Sequence, residues 1–404
     1  MKRITPISMR GVVAEIRKVF QHPPLLMWSL FIVFFPFYVG PAGLPQPADL
    51  LIVILVPVML SKWNGQLLGM GRTFKVLLLF TAYALFINMF WTFALGTFEI
   101  NLKRGFLLSP TFYIYNSLMM FSFLLMYQRY GEWLLWVTTR VTILSVAIQV
   151  VLSFLVRDYA VRSSLMFNNP NQLGYYALLS ACILLIAHQR LNLGTLQATL
   201  GLTGCCYLAL MSASKAALGS IALLGIALIF ARLRTMIVAM LVLGVLAFTS
   251  NPFSRAMEKA QQRIDNDQTY GLLEERGYDR VLQYPEYWLF GSGEGDYQRF
   301  SDTTVIGSHE LHSSAATLFF SYGIIGLSLF GTFAWLALRR SSFKMMMIVL
   351  PSFAYGMVHQ GLRFSLMWGL IGMMMALRHL EAQKHLKPPP AAPPLGLPLV
   401  PAAH

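Results

Sequence analysis

Charged residues are scarce in this sequence of 404 residues. They make up 12% of the chain, about half of the roughly 25% that soluble globular proteins carry. A soluble enzyme or a disordered scaffold is therefore a poor interpretation. Acidic residues are the scarcest, at 17 against 31 Lys and Arg. We interpret this basic excess as membrane topology and expect no nucleic-acid partner.

Cysteine is also scarce. The three cysteines, Cys182, Cys205 and Cys206, lie in apolar stretches, and they form neither a disulfide framework nor a set of metal ligands. No small-residue cleavage site follows the first apolar stretch after the basic N-terminus. We therefore expect an uncleaved first span, with no metal site and no cofactor.

Hydrophobic residues, by contrast, make up 56% of the chain. They occur in stretches that approach the length a membrane helix needs, about 20 mostly apolar residues. The sequence predicts an all-α polytopic membrane protein with about twelve transmembrane helices. The predicted spans are 24–40, 48–61, 73–95, 105–127, 133–155, 170–188, 193–211, 214–231, 235–250, 313–338, 344–358 and 362–379.

The distribution of Lys and Arg orients these spans, because positive residues favour the cytoplasmic side. With the N-terminus inside, the cytoplasmic segments carry 19 of them and the short outer loops carry 6. We expect a multi-pass membrane protein with both termini in the cytoplasm. Residues 1–250 then hold helices one to nine, 251–311 form a loop domain at the outer face, 312–387 hold helices ten to twelve, and 388–404 form a disordered Pro/Ala-rich tail.

Four predicted spans begin at the outer face with polar residues. Helix N-termini offer free N–H groups and the positive end of a dipole, which together favour anions. If these four ends converge, they form an anion site suited to a lipid-linked phosphate or pyrophosphate. The candidate residues are Asn169 and Asn171 at span six, Lys215 at span eight, His312 and Ser313 at span ten, and Arg363 at span twelve.

His312 lies where the loop domain enters a membrane helix. The dipole at a helix N-terminus disfavours the charged form of a histidine, so a neutral His312 is suited to act as a general base on a hydroxyl. His309 and Glu310 are candidates to orient it. The alternative is an interfacial histidine with no catalytic role.

Two further features lie upstream in the loop. Arg276 and Arg280 stand among acidic residues, which favours either surface salt bridges or an arginine pair that binds pyrophosphate. The run Gly291–Gly295 lacks the strand, helix and Lys of a nucleotide-binding loop. We interpret it as a flexible turn.

Several of these segments resemble one known family. HSSAATLFFSYGIIGLSL, from His312 to Leu329, carries a His-Ser start and a Gly-x-x-Gly pair at Gly323 and Gly326. PEYWLFGSGEGDYQRF, NNPNQLG and SASKA precede it in that family's order. Together, over roughly residues 165–335, they resemble the O-antigen ligase and Wzy-type O-antigen polymerase superfamily.

The resemblance implies a glycosyltransferase of the bacterial inner membrane with a GT-C-like fold, which uses an undecaprenyl-pyrophosphate-linked glycan as donor. It implies that the active site and the loop domain 251–311 face the periplasm. It implies that His312 is the family's loop histidine. It further implies that Arg276 or Arg280 is its loop arginine and that Arg363 matches one near the last spans. Lys215 stands where the family has arginine, which keeps the charge and loses the fork geometry.

The acceptor decides between related functions. We favour a polymerase, which transfers the growing chain onto another lipid-linked repeat unit of an O-antigen, capsule or exopolysaccharide. A chain-length regulator is a candidate partner of such an enzyme. The alternatives are a ligase that transfers the glycan to lipid A–core, and a flippase or transporter of lipid-linked sugars. A transporter would carry charges near the bilayer midplane, where this sequence has few.

The charge bias makes a topology prediction. Reporter fusions at residues 280 and 390 should lie on opposite sides of the membrane, with residue 390 in the cytoplasm. Paired phosphatase and fluorescent-protein fusions measure this in whole cells. Two fusions on the same side would remove His312 from the outer face.

Overall fold

The structure is a computed structural model that describes residues 17–40, 45–67, 69–100, 105–156, 162–231, 276–300 and 310–386, with short pieces between 237 and 261. These residues form helices joined by turns and loops, and they include no strand. The helices are α1 Pro23–Phe34, α2 Pro47–Leu60, α3 Gly71–Leu95, α4 Ser109–Tyr130, α5 Glu132–Leu155, α6 Pro170–Arg190, α7 Thr195–Ser212, α8 Lys215–Ala231, α9 Tyr278–Gln283, α10 Ser314–Leu338, α11 Phe343–Gly356 and α12 Ser365–Leu386.

These helices agree with the apolar stretches of the sequence. Each predicted span except the ninth coincides with a helix whose ends differ by several residues. The ninth span, 235–250, lies largely outside the described residues, and the tail 388–404 lies wholly outside them. Four helices, α3, α5, α6 and α10, are long and apolar enough to cross a membrane. The total of twelve spans stays a prediction.

Two helices, α6 and α10, begin after residues whose side chains accept a hydrogen bond from an N–H group of the first turn. The Asn169 side chain accepts a hydrogen bond from the Gln172 N–H at 3.0 Å, and Pro170 follows as the first residue of α6. Ser313 caps α10 in the same way, through the Ala316 N–H at 3.1 Å. These caps fix the residue at which each helix begins, and they place polar groups at its N-terminal end.

Helix α6 lies at the centre of the bundle. Its most apolar stretch is 83% buried and packs against α5, α7, α8, α11 and α12. The corresponding stretch of α3 is 39% buried, and it leaves large apolar side chains such as Phe86 and Phe93 exposed. An exposed apolar helix of this length is suited to contact lipid.

Helix α10 is broken at Gly323, where the backbone has φ 64° and ψ −172°. The break frees backbone groups that the glycine run satisfies. The N–H groups of Ser292 and Gly293 donate to the carbonyls of Phe320 and Ser321, both at 2.9 Å. In the opposite direction, the Ile324 N–H donates to the Trp288 carbonyl at 2.7 Å. Irregular backbone in an apolar environment requires such pairing.

The glycine run 291–295 is therefore a packed structural element, and its interpretation as a flexible turn was wrong. All five residues are buried. A Cβ atom on Gly291 would lie 2.2 Å from the Ser321 carbonyl oxygen, and one on Gly295 would lie 2.2 Å from that of Gly105. Glycine is required here because backbone packs directly on backbone.

We expect Gly323→Ala to destabilise the fold. A Cβ at this position would lie 2.3 Å from the Leu289 carbonyl oxygen, and this region of backbone conformation costs any other residue about 1–3 kcal/mol. Thermal unfolding of the purified protein in detergent measures the loss.

Gly331→Ala is the matched control in the same helix, because no atom lies within 4 Å of a Cβ there. Its unfolding temperature should stay at or slightly above that of the wild type. Equal stability of the two variants would contradict the packing of the glycine run against the break.

Candidate functional site

A cavity of about 680 Å³ opens at one end of the bundle. It is surrounded by the N-terminal ends of α2, α4, α6 and α12, by the segment before α10, and by the residues that follow α1 and α11. Its polar and aromatic lining includes Tyr38, Gln46, Asp49, Phe112, Tyr115, Asn169, Asn171, Gln172, Arg276, Glu310, His312, His359, Gln360 and Arg363.

The structure brings six of the sequence-predicted site residues into this one lining. They come from four separate parts of the chain, which only the fold places together. They are Asn169, Asn171, Arg276, Glu310, His312 and Arg363. Their proposed roles stay predictions.

The other predicted residues lie elsewhere. Ser313 is buried at the cap of α10, where its hydroxyl is 2.8 Å from the Tyr278 hydroxyl. Lys215 is the exposed first residue of α8 and is not part of the cavity lining. His309 lies outside the described residues.

Arg280 is fully buried, with its guanidinium 5.1 Å from the ring centre of Phe300 and 5.9 Å from that of Tyr297. Burial lowers the pKa of Arg280 to about 10. It packs within the loop segment and does not line the cavity. Of the two loop arginines, Arg276 is therefore the one placed to meet a ligand there.

Hydrogen bonds hold the helix ends around the cavity. The Ser314 N–H and hydroxyl both donate to the His359 carbonyl at 3.1 Å, and the same hydroxyl accepts from the Gly361 N–H at 2.8 Å. The Tyr355 hydroxyl donates to the Asn171 carbonyl at 2.9 Å. These bonds join α10, α6 and the turn between α11 and α12.

Arg363 makes ion pairs with two carboxylates. It pairs with Glu294 of the glycine run and, at 2.7 Å, with Glu310 of the segment that carries His312. Glu294 is fully buried and also accepts hydrogen bonds from the hydroxyls of Tyr322 at 2.7 Å and Tyr113 at 3.2 Å. The predicted binding of pyrophosphate by Arg363 thus has to compete with two carboxylates that already neutralise its charge.

The cavity holds a second histidine, His359, that the sequence interpretation treated only as a turn residue. Its ring lies 4.8 Å from that of Tyr355. Burial, with the nearby charges of Arg276, His312 and Arg162, lowers the pKa of His359 to about 3. This part of the lining is therefore cationic, and His359 is neutral at pH 7.

A different part of the lining carries a carboxylate. Asp49, in the first turn of α2, accepts a hydrogen bond from the Tyr115 hydroxyl at 2.8 Å and another from the Gln46 N–H at 2.7 Å. The rings of Tyr38 and Phe112 lie in the same lining. A carboxylate beside aromatic rings suits a ligand with hydroxyl groups, because the carboxylate accepts their hydrogen bonds and the rings pack on apolar faces.

Sequence reasoning missed Asp49, His359 and Arg162. The Nη2 atom of Arg162 donates to the Asn171 side chain at 2.6 Å, so this arginine supports the start of α6. Asp49 follows Gln46 and Pro47 at the start of an apolar helix. Polar residues at the start of an apolar helix identified the other candidate helix ends, and the same pattern is present at α2.

No protein-family model matches the chain, and no curated protein matches it significantly.

The lowered pKa of His359 predicts a dependence of stability on pH. An unfolded histidine has a pKa of about 6.5, so between pH 6.5 and about 3 the unfolded chain binds a proton that the folded chain excludes. Stability should therefore fall as the pH falls through this window. Replacement of His359 by Gln should make the unfolding temperature less dependent on pH between 7 and 4.5. Parallel curves for the variant and the wild type would contradict the burial of a neutral His359.

Proposed function

We propose that the protein is a glycosyltransferase of the bacterial inner membrane. It would polymerise undecaprenyl-pyrophosphate-linked oligosaccharide repeat units at the periplasmic face. The observation that supports this proposal is the convergence of His312, Arg276 and Glu310 with the start of α6 on one cavity at the end of an apolar bundle. A base, a cation and helix N-termini at the end of an apolar bundle suit a lipid-linked pyrophosphate.

In the proposed reaction, the hydroxyl oxygen of the acceptor attacks the anomeric carbon of the donor glycan. The bond from that carbon to the pyrophosphate oxygen breaks, and the undecaprenyl pyrophosphate leaves with the electron pair. His312 takes the proton of the attacking hydroxyl. Arg276 and the positive end of the α6 dipole stabilise the charge that develops on the leaving group. Attack from the opposite face inverts the anomeric centre.

Arg363 has a supporting role in this proposal. Its two ion pairs connect the buried Glu294 to Glu310, two residues before His312. The arginine thereby holds the segment that presents the histidine to the cavity. Lys215, outside the lining, is proposed to have a minor role.

Asp49 and the aromatic residues near it are proposed to contact sugar hydroxyls and ring faces. The identity of the acceptor separates a polymerase from a ligase. A lipid-linked repeat unit makes the enzyme a polymerase, and lipid A–core makes it a ligase. Supplying each acceptor separately to the reconstituted protein distinguishes the two.

Two substitutions test the proposed roles in liposomes supplied with lipid-linked donor. His312→Gln should lower kcat by about 10²–10⁴-fold, as expected for loss of a general base, with little change in the KM for donor. Arg276→Gln should lower kcat/KM by about 10²-fold or more, because a cation that contacts the leaving group stabilises the transition state. Donor consumption and product length on a gel measure both effects.

Two controls accompany these variants. Lys215→Gln removes a cation outside the cavity lining, and His309→Gln removes the neighbouring histidine. The Lys215 variant should stay close to wild-type activity, and the effect of His309→Gln should be much milder than that of His312→Gln. Full turnover of the His312 variant would refute its role as the base. Full turnover of both cavity variants would show that transfer takes place elsewhere.

A further inference from the structure

A second cavity, of about 360 Å³, lies at the other end of α10 and α12. The first cavity is lined by residues at the N-terminal ends of these helices, and the second by residues at their C-terminal ends. A helix of 25 residues is roughly 37 Å long, so the two cavities open at opposite ends of the bundle. The second is lined by Gly69, Met70, Arg339, Arg340, Arg378, His379, Glu381 and Ala382.

One of its three arginines is held by the fold. The Nη1 atom of Arg378 donates to the carbonyls of Leu336 at 2.6 Å and Ala337 at 3.2 Å, at the last turn of α10. A cation at this position also offsets the negative end of the helix dipole. Arg378 therefore both satisfies the end of α10 and fixes a guanidinium at the wall of the cavity.

The charges in this lining do not cancel. Glu381 is its acidic member, and it is paired with Arg190 at 2.8 Å. Among the described residues, Arg339 and Arg340 make no ion pair. Arg340 also has a φ of 69°, a conformation that disfavours side chains other than glycine and that costs energy to keep. The positive charges of Arg339 and Arg340 repel each other, and a bound anion would offset this repulsion.

The surroundings indicate what kind of anion fits. The Arg339 guanidinium lies 5.0 Å from the ring centre of Trp335, whose side chain is 60% exposed. Phe343 is 71% exposed on the other side of the turn. Exposed aromatic residues beside arginines, at the end of a helix long enough to cross a membrane, are typical of the depth of lipid headgroups.

We propose that this second cavity binds the phosphate group of an anionic phospholipid, from the leaflet that the charge distribution predicts to be cytoplasmic. The guanidinium groups of Arg339 and Arg340 pair with the phosphate oxygens. The acyl chains lie along the exposed apolar surface next to Trp335. Basic cavities between membrane helices bind anionic headgroups in this manner. The site is independent of the proposed transferase reaction.

The test measures saturable binding of dioctanoyl phosphatidylglycerol to the purified full-length protein in neutral detergent. The readout is the rise in unfolding temperature with lipid concentration. The double variant R339Q/R340Q should bind about 25-fold more weakly than the wild type, about 5-fold for each arginine. The single variant R340Q should bind about 5-fold more weakly, and it replaces the double variant in the test if the double variant does not fold. Dioctanoyl phosphatidylcholine should give no saturable effect.

The matched control is K62Q/K344Q, which removes two exposed cations outside the cavity lining and should bind like the wild type. Lipid binding at the first cavity is common to all variants and does not change the comparison. Equal weakening of the control, or equal binding of phosphatidylcholine, would overturn the site. Binding of inorganic phosphate at the same concentration as the lipid would assign the cavity to a soluble phosphate compound and overturn the lipid assignment.

Discussion

The architecture of the candidate site depends on the pairing of one buried carboxylate. Glu294 is fully enclosed, and its charge is tolerable there only because Arg363 and two tyrosine hydroxyls compensate it. Removing one partner of a buried ion pair costs about 3–5 kcal/mol. The pair joins α12 to the glycine run, and through Glu310 it reaches the segment that carries His312. The positions of both the break in α10 and the proposed base thus depend on one guanidinium.

Much of the helical arrangement could be predicted from the sequence, because long apolar stretches bounded by polar caps allow few alternatives. The grouping of His312 with Asn169, Asn171 and Arg363 was also predictable, since alternate helices begin on the same side. The insertion of the glycine run into the break at Gly323 was not. It depends on a close approach between backbones about 30 residues apart, and nothing in the local pattern distinguishes it from a flexible turn. Asp49 was missed because its signal, a polar helix start, was not applied to α2.

The two ends of the bundle differ in a way that follows from helix direction. At the first cavity, helices begin, and the positive ends of their dipoles add to Arg276 and His312. At the second, α10 and α12 approach their C-terminal ends, where dipoles favour cations, and Arg378 satisfies the carbonyls directly. An anionic ligand that enters the first cavity therefore meets a cation and helix dipoles that the fold has already positioned. At the second end part of the positive charge is already used by the fold, and Arg339 and Arg340 supply the rest.

The choice of base within the first cavity follows from the surroundings of its two histidines. A general base is most effective when its pKa lies near the working pH. Burial among cations lowers the pKa of His359 to about 3, so its ring accepts a proton from a hydroxyl poorly, and it packs against the ring of Tyr355. His312 is exposed and stands before the first turn of α10. His359 is therefore better suited to shape the cationic wall, as a neutral ring that adds no charge. His312 is the histidine that an acceptor hydroxyl can reach, which is why the proposed transfer assigns the proton to it.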